Sequence, residues 1–488
     1  MADSSWWDED WDVVVAGGGG AGLMAAAEAA ETGARVLLVE KQPGLGGATG
    51  MSVGTLSASG TALQKSAGIQ DSVDSHFEDY LKFRPDGSAP EDYDLELTRL
   101  LIERAPDTLA WMMAMGIEFS GPHPEPPHSV YRMHNVVPDS GVYVDTLSRA
   151  AEDRGVTIRT ETIIQELQRD DSGAVTQMVL RNVRRHRSTA VIVRRGVVLA
   201  TGYFSANDEL ARAHGRAPEL AAFDSIIETA TGDGIVLATA LGAATAGMDA
   251  SSAPSFRTVL PPYARPEPGL FQEGAILVNG LGRRFTNELR APEVATNRQP
   301  RQTAHVVFDS RLAARIATAD EDTPRARDGW HQNGKLFLST FPAIAYAYLD
   351  DYRRKTEYFF EADSPGGLAR QMHVPEAVLE EELRRFNGAA GGGGQDPFGR
   401  DPVGAGVSKP PFYAVGPIRP SVGSGGGLKV NRGMHVLDEA GRPIPHLYAA
   451  GMNGASNTLI AGHGHALSWA FTSGRIAGAN ASAETPRL

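Results

Sequence analysis

The stretch DVVVAGGGGAGLMAAAEAAETGARVLLVE, residues 12–40, decides the fold of this chain. Its apolar run at 12–16 predicts a buried strand, and an alanine-rich helix is predicted at 23–31. Residues 35–39 (RVLLV) predict a second buried strand. A strand–helix–strand order of this kind builds a parallel sheet with a right-handed crossover, so the fold class is α/β.

Three glycines in this stretch, Gly17, Gly19 and Gly22, have the spacing G-x-G-x-x-G. The first permits a tight turn, the second lets the backbone approach a pyrophosphate, and the third allows the helix to pack closely on the strand. The positive N-terminal end of the helix then faces the phosphates. Glu40 ends the second strand, where a carboxylate accepts a hydrogen bond from a ribose hydroxyl. The stretch therefore predicts a Rossmann-type dinucleotide-binding domain.

Length and composition restrict the class of protein. At 488 residues, two domains are the default expectation. The net charge of −13 and the pI near 5.5 argue against nucleic acid as a partner, because phosphate binding needs a basic surface. The chain has no cysteine, which excludes disulfides, thiolate zinc sites and cysteine-ligated iron–sulfur clusters.

The N-terminal segment, residues 1–12, is acidic and lacks the positive and apolar regions of a secretory signal. No window reaches the roughly 18 apolar residues of a membrane span. The cytoplasm is therefore the predicted compartment.

Apolar patterns place further elements along the chain. Helices are predicted, mostly or fully, at 73–118, 142–154, 375–386 and 466–481. Strands are predicted at 157–160, 175–184, 188–193, 196–200, 427–436 and 443–450, and a glycine loop at 388–394. Between them, residues 251–411 change in character, with Pro/Arg-rich loops and an aromatic-rich stretch. We therefore expect a nucleotide-binding domain at 1–250 and 412–488, with residues 251–411 inserted as a second domain.

Several later glycine turns favour FAD over NAD as the dinucleotide. Gly46–Thr49 follows Glu40 where flavoproteins often pass the pyrophosphate, and Leu199–Gly202 forms a strand and turn typical of the adenine end. Gly462–His465 opens the last helix, where backbone N–H groups can reach the flavin pyrimidine. The predicted cofactor contacts are Gly17, Gly19, Gly20, Ala21, Gly22, Glu40, Lys41, Gly46, Gly47, Ala48, Thr49, Gly50, Ala200, Thr201, Gly202, Gly451, Met452, Gly464, Ala466 and Leu467.

Five stretches along the chain, some of which contain these glycine turns, together resemble one superfamily. They are 13–50, VVLATGYFSAN at 197–207, GAILVNGLGRRFTNE at 274–288, HLYAAGMN at 446–453 and AFTSGRIAG at 470–478. The chain resembles the fumarate reductase and succinate dehydrogenase flavoproteins, with their 3-ketosteroid dehydrogenase relatives. The resemblance implies a glutathione-reductase-like FAD domain with an inserted α+β cap domain. It also implies hydride transfer at flavin N5 across a C–C bond next to a carbonyl.

Departures from the fumarate reductase pattern argue against a dicarboxylate substrate. Arg290 lies about two residues before the position of that family's cap arginine. The family's paired histidine is missing from 421–427, and its late arginine is missing from 457–462. Two anions without these donors would be poorly paired, at a cost of several kcal/mol. No histidine at 50–60 matches the covalent FAD attachment of succinate dehydrogenase, so we expect non-covalent FAD.

The ketosteroid dehydrogenase branch accommodates these losses better. It implies a cap tyrosine as base, and an oxyanion site that combines a tyrosine hydroxyl with a backbone N–H. Gly464 aligns with that backbone donor, but Ile460 or Ala461 replaces the tyrosine. Tyr346 and Tyr348 are the candidate bases, and packing in an aromatic helix is their alternative role.

Other candidate catalytic residues are polar side chains near these motifs. His463 and His465 flank Gly464 and could donate to a substrate oxygen or to the flavin. Two histidines at i and i+2 without a third ligand rarely bind a metal, so no metal site is predicted. His134 matches a stretch near the flavin in relatives, with an ordinary loop histidine as the alternative. Arg290 could bind a substrate carboxylate or simply be solvated.

Taken together, the sequence predicts an FAD-dependent desaturase of a carbonyl compound, a cyclic ketone or 3-ketosteroid-like substrate. A base would remove the α proton while N5 accepts the β hydride. A diffusible acceptor, namely dioxygen, a quinone or a carrier protein, would reoxidise the flavin. Two alternatives remain: an ene-reductase of the fumarate reductase type acting on a non-dicarboxylate activated alkene, and a flavin-binding protein without turnover.

Overall fold

The computed structural model describes residues 8–84, 88–125, 127–214, 224–225, 227–250, 255–259, 265–266, 269–316, 338–341, 344–347, 349–355, 357–391, 394–401 and 406–487. The chain divides into two compact units. The first unit comprises Met1–Gly215, Ile227–Ser251 and Ser424–Leu488. The second comprises Arg216–Ile226 and Ser252–Gly423.

Both units contain strands and helices. Over the described ranges the strands are β1 (Glu9–Ala16), β2 (Val36–Val39), β3 (Thr55–Ser57), β4 (Glu118–His123), β5 (Met133–Val137), β6 (Thr157–Arg159), β7 (Thr162–Arg169), β8 (Val175–Asn182), β9 (Ser188–Leu199), β10 (Asp224–Ser225), β11 (Thr245–Ala246), β12 (Ser255–Thr258), β13 (Arg265–Pro266), β14 (Ile276–Asn279), β15 (Ala304–Asp309), β16 (Ser339–Phe341), β17 (Ile344–Ala347), β18 (Phe359–Ala362), β19 (Phe412–Val422), β20 (Gly427–Leu428), β21 (His435–Leu437) and β22 (Pro443–Ala449). The helices are α1 (Gly20–Glu31), α2 (Gly47–Gly50), α3 (Ala62–Ser66), α4 (Val73–Tyr80), α5 (Leu95–Ala114), α6 (Gly141–Asp153), α7 (Asp208–Ala213), α8 (Asp233–Thr239), α9 (Gly269–Gln272), α10 (Pro292–Thr296), α11 (Ser310–Arg315), α12 (Leu349–Lys355), α13 (Pro365–Gln371), α14 (Glu376–Ala390) and α15 (His465–Ala483).

The first unit is built on a sheet with the strand order β21-β22-β9-β1-β2-β6. Strands β1 and β2 pair in parallel, as do β1 with β9, β2 with β6 and β9 with β22. Residues Val13–Val15 of β1 are fully buried, which fits a parallel strand covered on both faces. Helix α1 crosses between β1 and β2, and α15 packs against α1. The predicted α/β fold is therefore confirmed.

The predicted strands 188–193 and 196–200 form one continuous strand, β9. The sequence suggested a break because Arg194 and Arg195 interrupt the apolar pattern. In the structure both arginines pair with aspartates of the neighbouring strand: Arg194 with Asp10 at 2.6 Å, and Arg195 with Asp12 at 3.4 Å. With these cross-strand ion pairs, β9 continues past both arginines as one strand. It pairs with β8 near its start and with β22 near its end.

The second unit contains a sheet in the order β10-β19-β15-β14, with β12 and β18 also pairing with β19. Helices α13 and α14 supply apolar side chains, including Leu368, Leu379 and Leu383, to its core. The assignment of residues to two domains stays a proposal. That proposal puts 412–488 in the nucleotide-binding domain, whereas strand Phe412–Val422 groups with the second unit, where it pairs with β12, β15 and β18.

Two expectations for the middle of the chain were wrong in detail. The glycine loop predicted at 388–394 begins later, because α14 continues to Ala390. An aromatic helix around Tyr346 is replaced by strand β17, Ile344–Ala347. Among the described helices, none is long and apolar enough to cross a membrane.

Candidate active site

A deep cleft lies in the first unit at the carboxyl ends of β1, β2, β9 and β22, where α/β sheets bind their ligands. The residues that line it are Ala16, Gly17, Gly19, Gly20, Ala21, Val39, Glu40, Lys41, Gln42, Gly44, Gly47, Ala48, Thr49, Ser52, Thr162, Ile163, Ile164, Ala200, Thr201, Gly202, Tyr203, Ile227, Thr229, Ala230, Asp233, Leu237, Gly451, Met452, Ala466, Leu467 and Ala470. Most of the predicted cofactor contacts are among them. The predicted contacts Gly22, Gly46, Gly50 and Gly464 are not.

Gly22 lies behind the cleft and allows α1 to approach β1. A Cβ atom on Gly22 would lie 1.8 Å from the carbonyl oxygen of Gly17. Gly17 has a φ of +106°, and a Cβ there would lie 2.3 Å from the oxygen of Ala200. Neither position tolerates a side chain. Glycine at both positions therefore allows the strand ends and the N-terminus of α1 to lie close together around the cleft.

The carboxylate of Glu40 is fixed by backbone donors at the edge of the cleft. One oxygen accepts the N–H of Gly18 at 2.7 Å, and the other accepts the N–H of Gln42 at 2.7 Å. The side chain therefore faces the cleft in one orientation, as recognition of a ribose hydroxyl requires.

Asn453 holds the turn after β9 in place. Its Oδ1 accepts both the N–H and the hydroxyl of Thr201 at 2.7 Å, and its Nδ2 donates to the oxygen of Gly202 at 3.2 Å. Asn453 is fully buried. The side-chain amide of Asn453 holds the part of the cleft where the sequence predicts the adenine end of the cofactor. The sequence analysis did not single out Asn453.

The start of α15 is tied to strand β3. Ser57 donates its hydroxyl to the carbonyl of His463 at 2.8 Å, and its N–H to Ser468 at 3.2 Å. Gly464 has a φ of +85°, and a Cβ there would lie 2.6 Å from the nitrogen of Ser57. Only glycine fits this turn, and the turn brings Ala466 to the wall of the cleft.

His463 forms a close pair with Glu125 next to this turn. Its Nδ1 lies 2.5 Å from Oε1 of Glu125, and its backbone N–H donates to the same oxygen at 2.8 Å. The carboxylate is 5% exposed, and its Oε2 has no hydrogen-bond partner among the described residues. The imidazole is about one-third exposed, with a side-chain value of 33%. A partly open histidine backed by a buried carboxylate is suited to proton transfer.

His465 does not face the cleft. Its ring is fully buried, stacks on Tyr80 with 3.9 Å between ring centroids, and meets His76 at 3.4 Å between the two Nε2 atoms. His128 joins them, so that one ring nitrogen of each histidine lies within 4.8 Å of the others. We call His76, His128 and His465 the histidine cluster. The sequence analysis found no third ligand beside His463 and His465. In the structure His465 has two histidine neighbours, His76 and His128, which come from distant segments of the chain.

Burial keeps the cluster uncharged near neutral pH. Desolvation lowers the pKa of His76 and of His465 well below the ordinary histidine value. Desolvation also lowers the pKa of His128, to about 4, with the nearby Arg132 guanidinium as the second cause.

The remaining predicted catalytic residues are dispersed. His134 is fully buried in β5, where Nε2 lies 3.0 Å from the hydroxyl of Thr61, and burial lowers its pKa to about 4. It lines no part of the cleft, and the alternative of an ordinary loop histidine is wrong. Arg290 is an exposed residue of the second unit. The side chain of Tyr346 and the whole of Tyr348 lie outside the described residues.

Sequence reasoning missed Glu125, His76 and His128. Glu125 and His128 lie in a proline-rich segment, PHPEPPH at 122–128, which was not examined as a motif. Two histidines and a glutamate that close together could have been noted as potential proton carriers or ligands. Nothing local to His76 distinguishes it, since its partner His465 is 389 positions away.

Comparisons with known proteins agree with this geometry. The family model "FAD binding domain" matches residues 12–459. A probable fumarate reductase from Shewanella frigidimarina (strain NCIMB 400) is 28% identical, over 98% of this chain and 78% of that protein. The open conformation of a flavocytochrome c3 fumarate reductase has a TM-score of 0.80 at 27% identity, over 98% of this chain and 79% of that one. A 3-ketosteroid-Δ4-(5α)-dehydrogenase from Rhodococcus jostii RHA1 has a TM-score of 0.62 at 27% identity, over 99% of both chains.

The residues of the cleft fit FAD. Gly19, Gly44 and Gly202 leave open space where side chains would stand, since a Cβ on any of them would meet nothing within 3.7 Å. The N-terminus of α1 and the carboxylate of Glu40 are of the kind that would recognise the phosphates and a ribose of a dinucleotide. The predicted resemblance is confirmed, and the protein is an FAD-dependent oxidoreductase. The chain belongs to the FAD binding domain family.

Proposed function

We propose that this chain desaturates a C–C bond next to a carbonyl group, in a cyclic or steroid-like ketone, with His463 as the proton-transferring residue. The observation that carries the proposal is the 2.5 Å contact between His463 and Glu125. It lies at the turn that leads into Ala466 and Leu467, which line the FAD cleft. This replaces the tyrosine base implied by the family resemblance.

The Glu125 carboxylate determines which nitrogen of His463 is basic. Nδ1 carries the proton it donates to Oε1, so Nε2 is the unprotonated nitrogen of the neutral ring. A buried carboxylate also stabilises the imidazolium that forms when Nε2 takes a proton. The pair can therefore accept an α proton from a ketone and later release it. FAD bound in the cleft supplies the acceptor for the β hydride.

The absence of a dicarboxylate clamp favours an uncharged carbonyl substrate. The sequence lacks the late histidine and arginine of fumarate reductases, and Arg290 is exposed in the second unit. The backbone N–H of Gly464, held in its turn by Ser57, is our proposed donor to the enolate oxygen. We further propose that dioxygen, a quinone or a carrier protein removes the electrons.

An anaerobic titration tests the proposal. The FAD-loaded protein is mixed with a panel of saturated ketones, including a 3-ketosteroid and 4-oxocyclohexanecarboxylate, and the visible absorbance of the oxidised cofactor is followed. Bleaching by one ketone supports desaturation and identifies the substrate class. The matched control is His373→Asn, an exposed histidine of the second unit, which should bleach at the unaltered rate, whereas His463→Asn should not bleach.

A second candidate is reduction of an activated alkene that is not a dicarboxylate. It is favoured by the TM-score of 0.80 to a fumarate reductase, which exceeds the 0.62 to the ketosteroid dehydrogenase. In that direction the same His463 would deliver a proton. If no ketone bleaches the cofactor but dithionite-reduced protein is reoxidised by an enone or enoate, this candidate replaces the first. Inertness toward both panels would favour a flavin-binding protein without turnover.

A further inference from the structure

We propose that the histidine cluster, His76, His128 and His465, binds one divalent d-block metal ion such as Zn²⁺. The three residues come from α4, from the loop after β4 and from the first position of α15. None of them lines the FAD cleft, so the proposal stands apart from the proposed desaturation.

The spacing of the rings matches tetrahedral coordination. The Nε2 atoms of His76 and His465 are 3.4 Å apart. Two imidazole nitrogens bound at about 2.0–2.1 Å to a tetrahedral zinc ion lie at about this separation. His128 has a ring nitrogen within 4.8 Å of both, so rotation of its side chain can complete a three-histidine set.

The cluster has unmet polar capacity that an ion would use. The 3.4 Å contact between His76 and His465 is long for a hydrogen bond. Nε2 of His128 is also buried and has no hydrogen-bond partner in the described structure. Buried polar atoms are nearly always satisfied, by protein groups, water or ions. A cation between the three rings would give Nε2 of His76, His128 and His465 a common partner.

The surrounding charges favour a cation. A positive charge at His128 is attracted by the carboxylates of Glu125, Asp79 and Asp71, and repelled by Arg132. Arg132 is itself fully buried and is bound by Asp71 at 2.8 Å and by Asp79 at 2.5 Å. Its Nη1 also donates to Nδ1 of His128 at 3.0 Å, so the neutral ring carries its proton on Nε2. The rotation that brings Nε2 of His128 to the ion must therefore release this contact and leave the proton on Nδ1. Lys82 also pairs with Asp79 at 2.6 Å, so three carboxylates face two cationic side chains, and one negative charge remains to offset part of the charge of the ion.

Packing fixes the ring of His465 before any ion arrives, whereas the ring of His128, which packs on Phe83, has to turn. His465 stacks on Tyr80, whose hydroxyl donates to the carbonyl of Leu459. Phe83 packs against the ring of His128, with 4.7 Å between centroids. Ligands whose orientation is fixed by neighbouring side chains lose little freedom on binding.

The ligand types select the class of metal. Imidazole nitrogens suit Zn²⁺, Cu²⁺, Ni²⁺ and Co²⁺, whereas Mg²⁺ and Ca²⁺ prefer oxygen ligands. The chain has no cysteine that could compete for the same ions. Three protein ligands leave a fourth position, which a water molecule or a nearby carboxylate would fill.

Metal analysis of the FAD-loaded protein is the test. The protein is treated with a chelator, desalted, dialysed against Zn²⁺ or Co²⁺ and analysed for bound metal. We expect about one ion per chain, and Co²⁺ bands typical of four-coordination. His76→Asn and His465→Asn should reduce the stoichiometry to the background level. His446→Asn, which alters another buried histidine of the same unit, should leave it unchanged.

A second measurement guards against variants that fail to fold. The melting temperature of the unaltered protein should rise with Zn²⁺ concentration, should return to its starting value with chelator, and should not respond to Mg²⁺. No bound metal and no Zn²⁺-dependent shift would overturn the proposal. Equal loss of metal in His446→Asn, or retained stoichiometry in the two cluster variants, would overturn it as well.

Discussion

Nδ1 of His463 lies 2.5 Å from Oε1 of Glu125, and the backbone N–H of His463 donates to that same oxygen at 2.8 Å. One buried carboxylate oxygen therefore fixes both the ring and the chain at the residue before Gly464. Because α15 begins immediately after this turn, the position of the pair relative to the cleft wall is set by the helix itself. The pair that we propose as the proton carrier is therefore held in place at the turn that leads into α15.

Glu125→Gln should lower kcat/KM for the substrate about 100-fold, within the usual contribution of general acid–base catalysis. Glutamine keeps the shape but removes the charge that stabilises an imidazolium. KM and FAD content should change little, because Glu125 lines no part of the cleft. Steady-state kinetics over a pH series measure the effect. Glu439→Gln, at an exposed position, is the control. A kcat/KM within twofold of the unaltered protein would remove Glu125 from the mechanism.

Gly22→Ala should prevent FAD binding. The added Cβ would lie 1.8 Å from the oxygen of Gly17, so α1 must move away from β1 and disturb the phosphate end of the cleft. Gly33→Ala is the matched control: its φ is +80° but nothing lies within 4 Å of a Cβ, so it should cost only about 1 kcal/mol. The ratio of flavin to protein absorbance after dialysis compares them. Normal loading of Gly22→Ala would contradict this account of the glycine.

The cofactor site was largely predictable because its signals are local. A strand, a glycine turn and a helix within 12–40 specify the cradle, and short glycine turns after later strands mark the remaining walls. Two of the four exceptions, Gly22 and Gly464, support the cleft through backbone packing. Their role depends on how closely Gly22 approaches Gly17 and Gly464 approaches Ser57. A sequence motif does not show these contacts.

The His463–Glu125 pair and the histidine cluster could not be predicted from the sequence, because their residues are far apart along the chain. His463 meets Glu125 across 338 positions, and His76 meets His465 across 389. No periodicity links such residues, so only the packing of α4, Glu125 and His128 against the start of α15 brings them together. The continuous strand β9 was missed for a similar reason, because the sequence does not show that Asp10 on the neighbouring strand forms an ion pair with Arg194.

Glu288→Gln should destabilise the second unit by about 3–5 kcal/mol. Glu288 is 1% exposed and accepts from Nε of Arg284 at 2.9 Å and from Nη1 of Arg400 at 2.7 Å. Without its charge, two buried guanidiniums lose their shared partner. Urea unfolding of the FAD-loaded protein measures the change. Glu381→Gln removes an ion pair with Arg385 on the surface of α14 and should cost under about 1 kcal/mol. Similar costs for both variants would refute the assigned role of Glu288.

Acidification should destabilise the protein between about pH 6.5 and pH 4, in part through His305. Burial lowers the pKa of this histidine from 6.5 to about 4, and its Nδ1 has no hydrogen-bond partner in the described structure. Between these pH values the unfolded chain binds a proton that the folded chain does not, so the free energy of unfolding falls as the pH falls. The loss approaches about 3 kcal/mol at pH 4 and vanishes above the unfolded pKa. His305→Gln should therefore flatten the dependence of the urea midpoint on pH in this window, whatever its effect at pH 8. His373→Gln, at an exposed position, should leave the slope unchanged. If the slope persists in His305→Gln, the ring is protonated in the folded state, and its burial does not exclude the charge.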